Sequence, residues 1–196
     1  MNLICGIDEA GRGCLAGPVF SAAVILNPNQ IINGLDDSKK ISEKSREFLN
    51  NEIQNKALAF SFSMATPQEI DDINILNASL LSMSRAYELL KIKPDIIYVD
   101  GVNVPPINHE KISSVVRGDS KIAAISAASI VAKVERDSYM RMLDEKFPGY
   151  DLKKHKGYPT REHMRLIKKN GVIGIYRKTF KPISILIDKK NTQLPI

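Results

Sequence analysis

Two adjacent acids end an apolar run near the start of the chain, Leu3-Ile4-Cys5-Gly6-Ile7-Asp8-Glu9, and Ala10-Gly11-Arg12-Gly13 follows. Carboxylates at the end of a buried strand repel one another unless something positive meets them. Two unit charges about 4 Å apart cost roughly 4 kcal/mol at an effective dielectric near 20. The glycine-arginine-glycine turn lets backbone approach a ligand closely and adds a guanidinium. Divalent metal plus phosphate is the simplest ligand that satisfies both halves. A tight hairpin connection would explain the glycines but not the acids beside Arg12.

As bare letters, Gly11-Arg12-Gly13-Cys14-Leu15-Ala16 fits the dinucleotide-binding fingerprint. That fingerprint needs a helix to begin there, and Pro18 with the β-branched run after it reads as a strand. Gly6 and Gly11 stand at P-loop spacing, but Arg12-Gly13 follows where Lys-Ser/Thr is required. Both nucleotide readings fail.

Two further acids sit at positions suited to a site. Asp100 ends a strand and precedes Gly101; ligands of α/β sheets bind at such carboxyl ends, although Asp-Gly alone is an ordinary turn. Asp119, in Arg117-Gly118-Asp119-Ser120, precedes a long helix and could be its N-cap. That helix is apolar around most of its girdle, which implies an interior position. Ser126, Ser129 and Lys133 lie on one narrow stripe of it, and a polar stripe in the interior needs a partner. Asp137 lies near the stripe, whereas Glu135 and Arg136 read as solvated.

Two loops could meet a polyanion. Leu35-Asp36-Asp37-Ser38-Lys39-Lys40 is a solvated charge run or a phosphate contact. Lys153-Lys154-His155-Lys156-Gly157-Tyr158-Pro159-Thr160 is a linker, or a basic loop whose aromatic ring stacks on a sugar or base. His109, His155 and His163 lack mutual metal spacing and read as surface or supporting residues.

The elements that must position these residues follow from periodicity and punctuation. Strands are expected at 2–8, 18–26, 57–65, 95–99 and 111–116. Helices are expected at 43–55 behind Ser42, from Thr66-Pro67 onward, at 75–91, at 120–146 and at 160–169. The expected fold class is α/β, a mixed sheet with helices on its faces. The chain has 196 residues, enough for one domain with a real core. The division expected is a catalytic domain over 1–182 and a tail over 183–196.

Lys and Arg number 28 against 22 Asp and Glu, a net charge of +6 that favours polyanionic partners. Cys5 and Cys14 have no CxxC partner, and two cysteines fit a reducing compartment. No signal peptide and no membrane span is expected, so the reading is a soluble, cytoplasmic protein.

Taken together, the blocks resemble type 2 ribonuclease H, specifically the bacterial ribonuclease HII family. They are Gly6 to Gly13, Leu15 to Val19, Asp37 to Lys40, Tyr98 to Gly101, Gly118 to Ser120, Ser126 to Lys133, Arg136-Asp137 and His155 to Thr160, in the family's order. The resemblance implies a ribonuclease-H-like fold: a five-stranded mixed sheet flanked by helices, with extra carboxyl-terminal helices. It implies four metal-binding carboxylates at Asp8, Glu9, Asp100 and Asp119, holding two Mg²⁺ or Mn²⁺ ions during turnover. It implies that Gly11, Arg12 and Gly13 meet the 2′-hydroxyl and nearby phosphate, that Tyr158 stacks on the neighbouring sugar, and that Lys39 and Lys40 contact phosphate. Ser126, Ser129 and Lys133 are candidate substrate-binding residues on the same grounds. Cys14 stands where the family commonly has proline, and 171–176 is looser than the family pattern.

The implied activity is hydrolysis of the RNA strand of RNA–DNA hybrids, and cleavage 5′ of single ribonucleotides in duplex DNA, giving 3′-hydroxyl and 5′-phosphate ends. A monomer is expected. Gln193-Leu194-Pro195-Ile196 resembles a sliding-clamp-binding peptide without its aromatic anchor, a likeness that chance also explains. Two alternatives remain open: another nuclease of the same fold, such as a junction resolvase, and a non-catalytic nucleic-acid-binding module.

Overall fold

The structure, a computed structural model, describes residues 2–35, 38 and 41–191. Five strands, β1 (Ile4–Ala10), β2 (Val19–Ile25), β3 (Ala59–Ala65), β4 (Ile96–Asp100) and β5 (Ile112–Val115), form one sheet in the order β3-β2-β1-β4-β5. β1, β2 and β3 make an antiparallel meander, while β4 and β5 run parallel to β1. The described helices are α1 (Glu43–Lys56), α2 (Pro67–Glu88), α3 (Ala123–Lys146), α4 (Leu152–His155), α5 (Arg161–Asn170) and α6 (Lys181–Asn191). The mixed five-stranded sheet with flanking and carboxyl-terminal helices is the architecture expected.

Alternation along β1 sorts the core. Cys5 and Ile7 face α2 and pack with Met83, Ala86, Tyr87, Ile97 and Val99. Gly6 and Asp8 face the other side, where α1 and α3 cover Ala22 and Val24 with Leu49, Ile53, Ala127 and Val131. A third cluster, around Met140, Tyr150, Leu152, Ile167 and Tyr176, docks the carboxyl-terminal helices on the far half of α3. Each fully buried isoleucine, valine, leucine or methionine among them contributes about 1.5–3 kcal/mol.

Gly6 decides how close α3 comes. A Cβ there would lie 2.1 Å from the carbonyl carbon of Ala124, so strand and helix backbones touch directly.

Local signals account for the ends of several elements. Ser42 caps α1 by accepting from the Ser45 amide. Thr66 and Glu69 form a capping box with Pro67 in the first turn of α2. Asn74, at φ 66°, breaks α2 into the two segments expected, and its side chain accepts from the Leu76 and Asn77 amides to cap the second.

Three elements differ from expectation. α3 begins at Ala123 rather than 120, because Gly118–Ser120 forms a separate 3-10 turn, and its N-cap Ile122 has no side-chain cap. Part of the basic loop closes into α4. The chain after Pro182 continues α6 across the boundary expected at 182/183, with Ile183 fully buried in the third cluster. Residues 192–196, including the clamp-like peptide, lie outside the described residues. No described helix is long and apolar enough to cross a membrane. Both cysteines are buried free thiols.

Candidate active site

The sheet's topology brings two of the acids together. β1 and β4 are parallel neighbours with Gly6 opposite Tyr98 and Ile7 opposite Val99, so the next step in register sets Asp8 beside Asp100 at the carboxyl ends of adjacent strands. Asp119 arrives on the 3-10 turn that leads into α3. Asp8, Asp100 and Asp119 each present a carboxylate oxygen within 4.8 Å of the others. The Gly118 amide donates to Asp100 Oδ1 at 2.7 Å. A Cβ on Gly118 would lie 3.3 Å from that oxygen and 2.5 Å from Ile125, so the close approach needs glycine.

The donor set suits a hard divalent cation, which prefers carboxylate oxygens. Burial pushes the Asp8 carboxyl well above its usual range, and the charges of Glu9 and Asp100 push it further. A bound dication would relieve both effects.

Glu9 does not join the three aspartates in that cluster. It follows Asp8 on the strand; its carboxylate accepts from Arg12 Nη1 at 3.2 Å while its charge still acts on Asp8. Arg12 itself is about half exposed, at the tip of a turn closed by the Cys14 amide donating to the Gly11 carbonyl at 3.3 Å. Space over Gly13 is open: nothing lies within 4 Å of a Cβ built there.

The stripe on α3 is buried and partnered. Ser129 holds the Asp8 pKa down slightly against burial and the neighbouring acids and shares a 2.8 Å hydroxyl contact with Ser38, while the Glu9 amide donates to Asp8 Oδ1 at 2.7 Å. Ser126 is buried one turn earlier. Lys133 donates to Asp137 at 2.6 Å and lies 5.8 Å from the centre of the Tyr158 ring. Tyr158 is 39 % exposed; burial, and then the nearby Cys14 thiol, push its hydroxyl pKa up. Lys39 and Lys40 lie outside the described residues.

One expectation is overturned, and another resolves to its supporting alternative. Arg136, read as solvated, is fully buried. It donates to the carbonyls of Pro18 (3.2 Å), Ala16 (3.2 Å) and Lys156 (2.9 Å), and so ties the exit of the glycine turn to the Tyr158 loop. Its neighbour Glu135 is half-buried rather than free in solvent. His155 and His163, read as surface or supporting residues, are buried and stacked with ring centres 3.8 Å apart. His155 Nδ1 accepts from the Gly157 amide while Nε2 donates to the Tyr150 carbonyl. His163 Nδ1 donates to the Tyr158 carbonyl, and Nε2 accepts from the Tyr176 hydroxyl. Both rings are thus satisfied as neutral imidazoles, and burial drives the His163 pKa down to about 4.

One residue escaped the sequence reading altogether. Arg177 is fully buried and donates to the carbonyls of Gly17 (3.0 Å), Arg12 (2.9 Å) and Gly11 (2.8 Å). It lies in a non-helical stretch without periodicity, and no nearby acid advertised it.

A sequence profile described as Ribonuclease HII matches residues 5–183. A ribonuclease HII of Alteromonas mediterranea is 52% identical over 189 residues, covering 96% of this chain and 99% of its own. One from Shewanella oneidensis is 50% identical over 192 residues, covering 96% and 92%. Among solved structures, the ribonuclease H2 of Pyrococcus horikoshii superposes with a TM-score of 0.80 at 27% identity, covering 97% of this chain and 99% of that one. The ribonuclease HII of Archaeoglobus fulgidus, solved in complex with PCNA, superposes with a TM-score of 0.77 at 28% identity, covering 91% and 95%. With half its residues shared along nearly its whole length, and the acidic cluster in place, the chain belongs to the ribonuclease HII family and is an endoribonuclease.

Proposed function

We propose that this chain hydrolyses the RNA strand of RNA–DNA hybrids and cuts on the 5′ side of single ribonucleotides embedded in duplex DNA, leaving 3′-hydroxyl and 5′-phosphate ends. The observation that carries this reading is the convergence of Asp8, Asp100 and Asp119 beside an open glycine-arginine-glycine turn. Asp8, Asp100 and Asp119 would hold Mg²⁺ or Mn²⁺, and Glu9 would complete the set once released from Arg12. When bound, two such ions supply an activated water and stabilisation of the departing 3′-oxygen.

The remaining work falls to the chain's own groups. The Glu9 amide holds the Asp8 carboxylate, with Ser129 beside it, and the Gly118 amide holds that of Asp100. Only the 2′-hydroxyl separates RNA from DNA at one sugar. The turn at Gly11, Arg12 and Gly13 is the backbone able to reach it, because no side chain stands over Gly13. Tyr158, exposed on a loop anchored by Arg136 and the histidine pair, stacks on the adjoining deoxyribose. Lys133 and Ser126 support that wall from α3, and Lys39 and Lys40 contact the phosphate backbone. The clamp-like peptide carries no part of this reading.

The deciding experiment is a 5′-labelled DNA duplex with one ribonucleotide, incubated with Mn²⁺, with Mg²⁺ or with chelator. Cleavage 5′ of the ribonucleotide with metal, and none with chelator, is expected. A duplex that stays intact with both metals, or an all-DNA junction cut in preference, overturns the assignment.

A further inference from the structure

One of the two buried arginines behind the turn bonds directly to the turn's own carbonyls, and the reaction does not use it. The Arg177 guanidinium donates to three main-chain carbonyls: Gly17, Arg12 and Gly11. It is fully buried, four residues before the start of α6 and more than 160 residues along the chain from the turn it holds. A stability role alone would be met by any well-packed apolar side chain, because a buried guanidinium carries a heavy desolvation cost. The choice of carbonyls points to a more particular role.

No cis peptide bond is present among the described residues. In a trans peptide the C=O of one residue and the N–H of the next point in opposite directions. The carbonyls of Gly11 and Arg12 both point at Arg177. The amides of Arg12 and Gly13 therefore both point away from it. Among the described residues neither amide donates to another backbone carbonyl. Above them, the space over Gly13 is clear for 4 Å. Arg136 closes the back of the same turn, its Nε 2.0 Å from where a Gly11 Cβ would stand, so the turn cannot relax in that direction.

We propose that Arg177 is a positioning residue for ribonucleotide recognition, holding two carbonyls from behind so that the Arg12 and Gly13 amides face outward as paired donors to the ribose edge. Arg177 does not touch the substrate and acts only through the turn. Its cationic charge, on the carbonyl side of two peptide units, also polarises those units and strengthens their outward N–H groups as donors. Lysine could keep the charge but, with one nitrogen, could not span three carbonyls. The proposal rests on the ribonucleotide-cleaving function above.

The test compares native protein with Arg177→Lys. Affinity for a duplex carrying one ribonucleotide, and for the identical all-DNA duplex, is measured with Ca²⁺ in place of the catalytic metal. Single-turnover cleavage is measured with Mn²⁺, and Mn²⁺ binding by calorimetry. The expected result is a loss of about tenfold in the ribonucleotide-over-DNA preference, the worth of two misaimed hydrogen bonds. The cleavage rate should fall about a hundredfold, as for a reactant displaced by an ångström. Affinity for all-DNA duplex and for Mn²⁺ should stay at native values, which a general loss of structure would not allow. Preference and rate within twofold of native would overturn the proposal, as would equal losses on both duplexes. If Arg177→Lys does not fold, amide hydrogen exchange of the native protein decides. Protection of the Arg12 and Gly13 amides by the ribonucleotide duplex alone supports the proposal, whereas equal protection by both duplexes or by neither overturns it. Native protein that fails to cut the ribonucleotide duplex at all would instead sink the functional assignment.

Discussion

The Arg12 guanidinium stands 3.2 Å from the Glu9 carboxylate, so the arginine of the glycine turn also restrains an acid next to the aspartate cluster. The pair is partly solvated, and such pairs contribute at most about 1 kcal/mol. A dication or an arriving phosphate can therefore separate it at little cost. Arg12→Ala should raise Mn²⁺ affinity by a few-fold, because it frees Glu9, while cleavage beside a ribonucleotide falls. Calorimetric titration of the variant checks this; unchanged or weaker Mn²⁺ binding would show that Glu9 is not in competition.

Asp8→Asn should abolish turnover, with a loss of about a thousandfold or more, and leave duplex binding largely intact. It should also stabilise the metal-free protein at neutral pH. Burial and two neighbouring acids raise the native Asp8 pKa above its unfolded value, so the ionised form burdens the fold as pH rises through that range. Thermal melts with chelator should show the native protein losing stability toward neutral pH and the variant losing less. Added Mn²⁺ should rescue only the native protein.

Tyr158→Ala should slow cleavage at a single embedded ribonucleotide by about ten- to a hundredfold, the usual worth of a sugar or base stacked on an aromatic ring. Long hybrids, which offer many registers, should suffer less. Tyr158→Phe keeps the ring and should stay close to native. Equal losses on the two substrates for Tyr158→Ala would remove the stacking role.

The His163 ring supplies an acid-side signature. Its folded pKa, about 4, lies below the ordinary 6.5 because burial disfavours the imidazolium. Stability from the neutral ring is complete above about pH 6.5 and is lost as pH falls toward 4, with a ceiling of about 3 kcal/mol. His163→Gln keeps a donor and an acceptor but does not titrate. Denaturant melts between pH 4 and 7 should show a flatter slope for the variant.

Gly6→Ala should be disproportionately damaging, because its Cβ would overlap the Ala124 backbone. A loss of about 3 kcal/mol in unfolding free energy is expected, together with lower activity, since Ser129 on the displaced helix would no longer meet Asp8. An unchanged denaturation midpoint would contradict so close a contact.

Much of this was legible from the residues, because local chemistry dictated it. Ser42, Thr66, Pro67 and Asn170-Gly171 mark helix ends that short-range capping enforces. Asp100 was legible because a strand ending on an acid is a local pattern. The ion pair of Glu9 with Arg12 was not, since adjacency to Asp8 drew attention to shared ligation rather than to a partner on the turn. Arg136 misled for the opposite reason: a charged side chain on an amphipathic helix usually faces water, and only the fold supplies three carbonyls to bury it against. The carboxyl-terminal α6 and the small α4 depend on docking against α3, which no local period records.

β1 is the middle strand of the sheet, bonded to β2 on one side and β4 on the other. A rail fixed on both edges cannot slide, so Asp8 keeps its height against Asp100 whatever happens at the periphery. The parts proposed to judge the sugar hang from three connections outside that rail: the glycine turn, the Tyr158 loop and the segment bearing Arg177. Substrate preference in this scaffold can therefore drift through those connections while the hydrolytic apparatus stays where it is.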